Sequence, residues 1–599
     1  MNNSPSLPFP SRSAIVLIAL LQGLMLYAVQ EASAHWPFND FGNRLCWYSW
    51  VLTVPTAVAL TLVELRDRRL WLHAVLASLV VLGLARWIGW NLGGEAANLQ
   101  QAPLLMPFSL GMAIAVFVSL PWWQFRLQHG HWRASYDALF ERAWQNGLTL
   151  ALAIAFTALT WLLLWLWAAL FQLVDIHFFR DLFRENAFIA LATGSLFGFG
   201  ILIGRTQHRA IQVTRQVLFA MCRGLLPLLA FIAVIFVLSL PFTGLEPLWR
   251  TRSAASLLLV LALLLVVFSN AVYQHDDDRA PYPRWLRRLV EASLLALPVY
   301  AGLALYAMGL RIAQYGWTPE RFWGLLVALL VAGYALGYAV AVLRPRTRWL
   351  QRIEPVNRWM CWTVLGMALL ANSPLIDPVR ISVHSQVARL QAQAPKIEAE
   401  DARMLRFELG RRGYRALQAL RDAPRFRADP VALAVIEEAL SRQSRWSSER
   451  GPSVVPPVRD VAALRQQLLV AGSSAAPDAG WWQAVLAGDV SAAQCLRRGH
   501  PCVALRRDLD GDGQDEMLLC DLVETLGTRC QMHVLEQQQW RDGGSIAFWS
   551  DRERSTASIH TALRQGKLEI QRQRWPRLSL DGHTPRDLEP ATETEKERP

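Results

Sequence analysis

About eleven apolar stretches, each near the length a helix needs to cross a bilayer, follow one another between residues 14 and 376. A hydrocarbon core of ~30 Å takes about 20 residues of helix. The stretches run near Ala14–Val29, Cys46–Val63, Trp71–Trp90, Leu104–Leu120, Gly147–Leu173, Phe188–Ile203, Leu218–Leu240, Ala254–Tyr273, Ser293–Leu310, Phe322–Leu343 and Trp359–Ile376. Composition agrees. Charged residues make up 18% and hydrophobic residues 53%, where soluble domains carry about 25% charged residues. The 26 tryptophans suit a chain with membrane interfaces to line. This excludes a plain soluble enzyme and a disordered chain. The expected fold is an all-α polytopic bundle over residues 1–377, followed by a soluble α+β domain.

The net charge is +12, and nearly every basic residue is arginine. The arginines lie between apolar stretches, which argues for topology rather than nucleic-acid binding. Alternate connections carry about 18 arginines, among them Arg66, Arg126, Arg205, Arg287 and Arg346, against about 7 in the others. Cytoplasmic loops are the arginine-rich ones. The N-terminus is therefore expected inside, and the last 220 or so residues outside, in the periplasm. Ala32-Ser33-Ala34 resembles a signal cleavage site, but the expectation is a retained anchor. Gly194/Gly198, Gly200/Gly204 and Gly333/Gly337 have the spacing of close helix packing.

Ionisable groups are costly near lipid. Asp175, His177, Glu246, Arg311, Asp377 and Arg380 lie at outer helix ends, where interfacial anchoring and ion pairing is the ordinary reading. The sharper reading is one polar site on the outer face. No ionisable residue lies clearly mid-helix in several segments, which weakens a pump.

After Asp377-Pro378 the chain turns polar and arginine-rich. Residues 378–450 read as a helical periplasmic segment with Met404, Leu405, Phe407 and Leu409 on an apolar face. That face would rest on lipid or on the next domain. A linker is expected over 451–480, a small α+β domain over 481–582, and a disordered tail over 583–599. Cys502–Arg506, Met517–Cys520, Gln531–Leu535 and Lys567–Gln571 read as strands.

The most specific motif is Asp508-Leu509-Asp510-Gly511-Asp512-Gly513-Gln514-Asp515-Glu516. A hard cation such as Ca²⁺ takes six to eight oxygens. Asp508, Asp510 and Asp512 would converge as the loop curls, with the Gln514 carbonyl and Glu516 completing the shell. Position twelve is Leu519, so the loop is not an EF-hand. It looks like the calcium loop of FG-GAP or integrin-type β-hairpins. Any bound ion is expected to be structural. Cys495, Cys502, Cys520 and Cys530 all lie in this half, and an even set suggests two disulfides. Of three connectivities, Cys495–Cys502 with Cys520–Cys530 is the expectation.

The strings Asp175-Ile176-His177-Phe178-Phe179, Leu240-Pro241-Phe242-Thr243-Gly244, Tyr315-Gly316-Trp317-Thr318-Pro319-Glu320-Arg321 and Asp377-Pro378-Val379-Arg380-Ile381-Ser382 resemble those of a bacterial inner-membrane family, domain of unknown function 4153. The resemblance covers roughly residues 140–420. It implies a multi-pass inner-membrane protein and transfers no activity or catalytic residue. No Walker loop, zinc-protease helix, nucleophile elbow or dinucleotide fingerprint is present. Three functions stay open. The first is a scaffold or sensor whose calcium-stabilised periplasmic domain binds a protein partner. The second is a transporter or lipid flippase, with Pro55, Pro107, Pro227 and Pro298 as helix breakers. The third is an outer-face enzyme using Asp175, His177, Glu246 and Asp377. The first needs the fewest assumptions; the lipid bilayer is a partner in all three and nucleic acid in none.

Overall fold

Apolar runs of this length close their backbone hydrogen bonds within the helix, the solution lipid demands. The computed structural model describes residues 7–93, 102–246, 254–273, 282–344, 349–393, 397–442, 445, 458, 460–472, 474–492, 495–496, 500–522, 527–549 and 555–569. Its contacts divide the chain into two units, Met1–Glu449 and Arg450–Pro599.

In the first unit each expected stretch falls in one long helix: α1 (Phe9–Glu31), α2 (Phe41–Thr61), α3 (Arg68–Leu92), α4 (Ala102–His129), α5 (Tyr136–Gln172), then, after a single turn α6 (Phe178–Leu182), α7 (Asn186–Thr206), α8 (His208–Thr243), α9 (Ala254–Val272), α10 (Arg284–Tyr315), α11 (Pro319–Leu343) and α12 (Ile353–Ala371). Among the described residues nine of these are long and apolar enough to cross a membrane. The other two, α2 and α12, have 21 and 19 residues. They are diluted by groups such as Asn43, Arg44, Thr53, Glu354, Asn357 and Arg358. Helix α5, at 37 residues, is about 55 Å long and outruns the bilayer core. Helices α5, α8 and α10 carry Arg142, Arg215 and Arg287, so part of what reads as basic loop is helix continued beyond the lipid. Leu159, Leu162 and Leu163 of α5 are more than 60% exposed, a surface that only lipid or a partner tolerates at this extent.

Glycines let the helices approach. A Cβ on Gly194 would lie 2.7 Å from the Ala19 carbonyl oxygen, and one on Gly200 2.5 Å from the Ala153 Cα. Helix α7 thus presses α1 with one face and α5 with another. Gly337 meets Val356 of α12 in the same way. All three glycine pairs do the packing their spacing suggested. Polar side chains join helices elsewhere. The Tyr136 hydroxyl donates to Asn270 Oδ1 (2.9 Å), the Tyr338 hydroxyl to Asn357 Oδ1 (2.8 Å), and Asn270 Nδ2 to Tyr338 (2.6 Å). This links α5, α9, α11 and α12.

The bundle has two distinct ends. At one, the Ser11 hydroxyl donates to the Val63 carbonyl (2.7 Å), Arg205 to the Ala59 carbonyl (2.8 Å), and Arg215 pairs with Glu141 at 3.4 Å. The arginine-rich connections and the start of α1 meet there. At the other, Arg86 faces Asp40 at 3.9 Å and Arg411 Nε donates to the Gly93 carbonyl at 2.9 Å.

Residues 378–441 belong to this first unit. Helices α13 (Pro378–Gln393), α14 (Ala399–Phe407), α15 (Gly410–Asp422), α16 (Pro424–Arg427) and α17 (Pro430–Ser441) bury Leu405, Leu409, Leu417 and Ile436 in one core with Leu92 and Leu104 of α3 and α4. The apolar face therefore packs on the bundle itself. Asp429 caps α17 by accepting from the Val431 and Ala432 amides.

The second unit is a five-stranded sheet in sequence order. β1 (Leu469–Val470) runs parallel to β2 (Cys502–Arg507), and β3 (Glu516–Asp521), β4 (Gly527–Glu536) and β5 (Gln539–Trp549) continue as an antiparallel meander. Both faces of the central strands are covered. Cys502, Ala504, Met517 and Leu519 pack with Trp481 and Trp482 of helix α19 (Ala479–Ala487), while Val503, Leu505, Leu518 and Cys520 pack toward Leu563 of α20 (Thr556–Arg564). Three expected strands are present. Of the fourth, Lys567–Glu569 follows α20 as irregular chain, and the rest of that run lies outside the described residues. β5 was not expected, since Arg541-Asp542-Gly543-Gly544 interrupts its alternation. Within the expected linker 451–480, helix α18 (Val461–Gln467) and β1 join the sheet unit because Leu464 and Leu468 are buried in its core. The tail 583–599 lies outside the described residues.

Both expected disulfides form, Cys495–Cys502 and Cys520–Cys530. The second joins residues directly opposite on β3 and β4. A loop of this size stabilises by about 2–3 kcal/mol in the chain-entropy account. Cys520→Ser with Cys530→Ser is expected to weaken the sheet unit by about that amount, read as faster amide exchange across β3 and β4 in the intact protein. Unchanged exchange refutes it.

Buried His533 sets a pH limit on the same unit. Its Nδ1 accepts from Trp481 Nε1 at 3.0 Å and its Nε2 faces the Ser491 carbonyl at 3.3 Å, an arrangement made for neutral imidazole. Burial holds its pKa below the ordinary value, against the opposing pull of the Ser491 carbonyl and Asp542. The unfolded chain thus takes up a proton that the folded one refuses, and stability is lost as pH falls through about 6.5. Exchange of β4 and β5 amides, corrected for intrinsic rate, is expected to rise between about pH 7.5 and about pH 5.5. His533→Asn should flatten that rise; an equal rise in the variant removes His533 as its cause.

Candidate functional site

A cleft in the first unit opens where α13 and α15 meet the end of α3. Two glycines put α15 there. Gly410 has φ +57°, and a Cβ on it would stand 2.6 Å from the Asn91 carbonyl oxygen; one on Gly413 would stand 2.3 Å from that of Leu405. Only a residue without a side chain seats this helix so closely on α3 and α14. The seating lays Arg411 over Trp90 at 5.1 Å, and Arg412 over Trp87 and Trp90 at 5.6 and 5.2 Å. Arginine on tryptophan is a favourable cation–π pair.

Asp377 anchors the other wall. One of its oxygens accepts from the Val379 and Arg380 amides at 3.0 and 3.2 Å, capping α13, and the other lies 3.0 Å from Arg412 Nε. It is 5% exposed, so its charge is consumed inside the protein. Gln386 Nε2 donates to the Tyr315 and Trp317 carbonyls at 3.0 and 2.8 Å, and Ser385 accepts from the Trp317 amide at 3.0 Å. These bonds hold the α10–α11 turn, and with it Trp317, at the cleft. The space encloses about 980 Å³, with Arg380, His384, Arg411, Arg412 and Arg415 on its walls beside apolar Leu375, Ile381 and Val387.

Of the six polar residues expected to form one outer site, Asp377 and Arg380 line this cleft and the other four do not. Asp175 and His177 form a pair of their own at 3.7 Å, with the Asp175 side chain 98% exposed. Glu246 and Arg311 are exposed at the ends of α8 and α10. The four acid and base candidates for an outer-face enzyme are thus not gathered in this cleft. The prolines offered as helix breakers all lie inside continuous helices, which removes that argument for a transporter. The sequence reading missed Arg411, Arg412, Arg415, Trp90 and His384. The signal was the Gly410-Arg411-Arg412-Gly413 run, glycines bracketing paired charges on an amphipathic helix.

In the second unit the Asp-rich segment is the tip of the β2–β3 hairpin, where Arg507 pairs with Glu516. Gly511 and Gly513 take φ +87° and +86°. The loop organises itself through its carboxylates. Asp508 accepts from the Gly511 and Gly513 amides at 2.6 and 3.1 Å, Asp510 from Asp512 at 3.0 Å, Asp512 from Gln514 at 2.7 Å, and Glu516 from Leu509 at 2.6 Å. Asp508, Asp510 and Glu516 each bring a carboxylate oxygen within 4.8 Å of the others; Asp512 is not in that group. Glu516 is 6% exposed. Burial first, and then the charges of Asp510 and Asp512, push its pKa up, partly offset by its bond from the Leu509 amide. Hard oxygens at this spacing fit one divalent cation. A second cluster, His500, Cys502 and Asp521, has its sulfur committed to a disulfide, and its His500 Nε2 lies in hydrogen-bond contact with Asp521 at 2.9 Å.

The family described as Domain of unknown function (DUF4153) matches residues 48–420, a longer reach than the strings alone suggested. The matched segment includes every helix from α3 to α14 and all but the end of α15, and it ends before the Asp-rich hairpin. No curated protein and no solved structure matches the chain. With more than half of its 599 residues inside the family's span, this multi-pass membrane protein belongs to DUF4153.

Proposed function

We propose that the protein is a scaffold or sensor of the bacterial inner membrane, holding residues 450–599 in the periplasm for a protein partner. The carrying observation is that the second unit has its own two-faced core and two disulfides, bonds that persist in oxidising compartments. Two further features support the placement. Nine or eleven crossings are both odd, and either count leaves the chain's two ends on opposite sides. The arginine-rich helix ends gather with the start of α1, the arrangement of a cytoplasmic face. The partner surface best suited to the role is β5, 11 residues long and the edge strand of the sheet among the described residues, with Trp549 63% exposed. Unpaired strand edges recruit other chains.

Alkaline phosphatase fused after residue 599 is expected to be active, and green fluorescent protein fused there dark. A photoreactive residue at Trp549 is expected to cross-link a periplasmic protein. The reverse reporter pattern, or a cross-link to cytosolic protein alone, overturns the reading.

In this reading Asp508, Asp510 and Glu516 hold a structural Ca²⁺, with Asp512 and the Gln514 carbonyl completing the shell as the loop tightens. A cation would offset the burial, and the charges of Asp510 and Asp512, that push the Glu516 pKa up. Calcium at 100 times its dissociation constant stabilises by about 2.7 kcal/mol. Chelation is expected to speed amide exchange in the β2–β3 hairpin, calcium to restore it, and Asp510→Asn to abolish the response. Exchange indifferent to calcium refutes the site.

A further inference from the structure

We infer that the cleft between α13 and α15 is a binding site for a phosphate group, carried by a membrane amphiphile. Four guanidinium groups, Arg380, Arg411, Arg412 and Arg415, line it together with His384 and one carboxylate, Asp377. That carboxylate is spent on Arg412 and on capping α13. Among the described residues, three arginines are left without a matching anion on the walls. A folded chain gathers like charges at a cost, and a bound anion offsets it.

The kind of charge narrows the ligand. Guanidinium presents a planar fork that binds phosphate oxygens in pairs. Arg411 is oriented in advance, with Nε on the Gly93 carbonyl at 2.9 Å and its plane over Trp90. Arg380 and Arg415 are exposed and free to swing onto a ligand from opposite walls. The wall between them narrows it further. Leu375 is 78% exposed, and Trp317, Ile381 and Val387 continue an apolar lining that a free phosphate ion does not need. A phosphate joined to a hydrocarbon chain uses both parts. The cleft also sits at the bundle end away from the Arg205 and Arg215 cluster, where α3 and the α10–α11 turn finish, and the ends of membrane-crossing helices are where lipid headgroups lie. Nothing here depends on residues 450–599, so the site stands or falls apart from the scaffold reading.

The test uses the full chain in nanodiscs and follows amide exchange in α13 and α15. One arm compares phosphatidylcholine discs with discs also containing phosphatidic acid. The other adds inorganic diphosphate to phosphatidylcholine discs. Slower exchange with phosphatidic acid alone is the expected result; slowing by diphosphate as well assigns the site to the phosphate whatever its source. In both cases Arg380→Gln with Arg415→Gln is expected to weaken the effect by at least about tenfold in ligand concentration. Neither arginine side chain holds the fold, and an unchanged thermal transition of the variant in phosphatidylcholine discs verifies that. No slowing in either arm, slowing by diphosphate alone, or slowing that the double variant retains, overturns the inference.

Discussion

Water is absent from hydrocarbon, so each backbone amide there must bond within the chain, and each charge must reach an end. The first unit follows from that constraint. It makes the apolar stretches helices, and it pushes the arginines to the helix termini. There they find carbonyl acceptors, as Arg205 does at Ala59 and Arg411 at Gly93. Between the ends, helices associate without a hydrophobic drive, because lipid is as apolar as leucine. Small residues and buried hydrogen bonds take over. Gly194 and Gly200 bring backbones together, Gly337 admits the Val356 side chain, and the Tyr136, Asn270, Tyr338 and Asn357 side chains link α5, α9, α11 and α12 by hydrogen bonds.

This constraint explains why so much of the bundle was legible. Eleven stretches read from apolar runs are eleven helices, and three glycine pairs read from spacing are three packing seams. What was not legible is where a helix stops. α5 and α8 continue through residues whose charge suggests a loop, because helix propensity does not end where lipid does. α2 and α12 show the converse: Asn357 dilutes the apolar signal of α12 yet is buried in the bundle as a hydrogen-bond partner.

The second unit obeys water rather than lipid, and different signals failed there. Cys520 and Cys530 were paired by sequence proximity, and the register of β3 against β4 supplies the reason. The alternation at Lys567–Gln571 forms no strand over its described part, Lys567–Glu569, whereas β5 lacked alternation and formed anyway, since β4 offered it ten partners. Strand formation is decided by the adjacent strand more than by local pattern. The Asp-rich loop was legible because its geometry is local: each carboxylate reaches an amide two to seven residues away.

The cleft was half legible for a reason that applies to membrane proteins generally. Asp377 and Arg380 stand beside an apolar stretch, where a charge attracts notice. Arg411, Arg412 and Arg415 stand in a segment so rich in arginine that no single one is conspicuous. Their distinction comes from Gly410 and Gly413, which allow α15 to approach α3 and α14 within the reach of a missing side chain. That approach brings two arginines over the tryptophans at the end of α3 and hands one of them Asp377. A carboxylate that both caps α13 and neutralises a cation on α15 fixes the two walls relative to each other. The same economy leaves the remaining arginines facing the opening with their charge unspent. The tertiary contact of a helix terminus thus turns an ordinary basic segment into an electrostatically biased cleft, and it does so through two glycines that carry no charge at all.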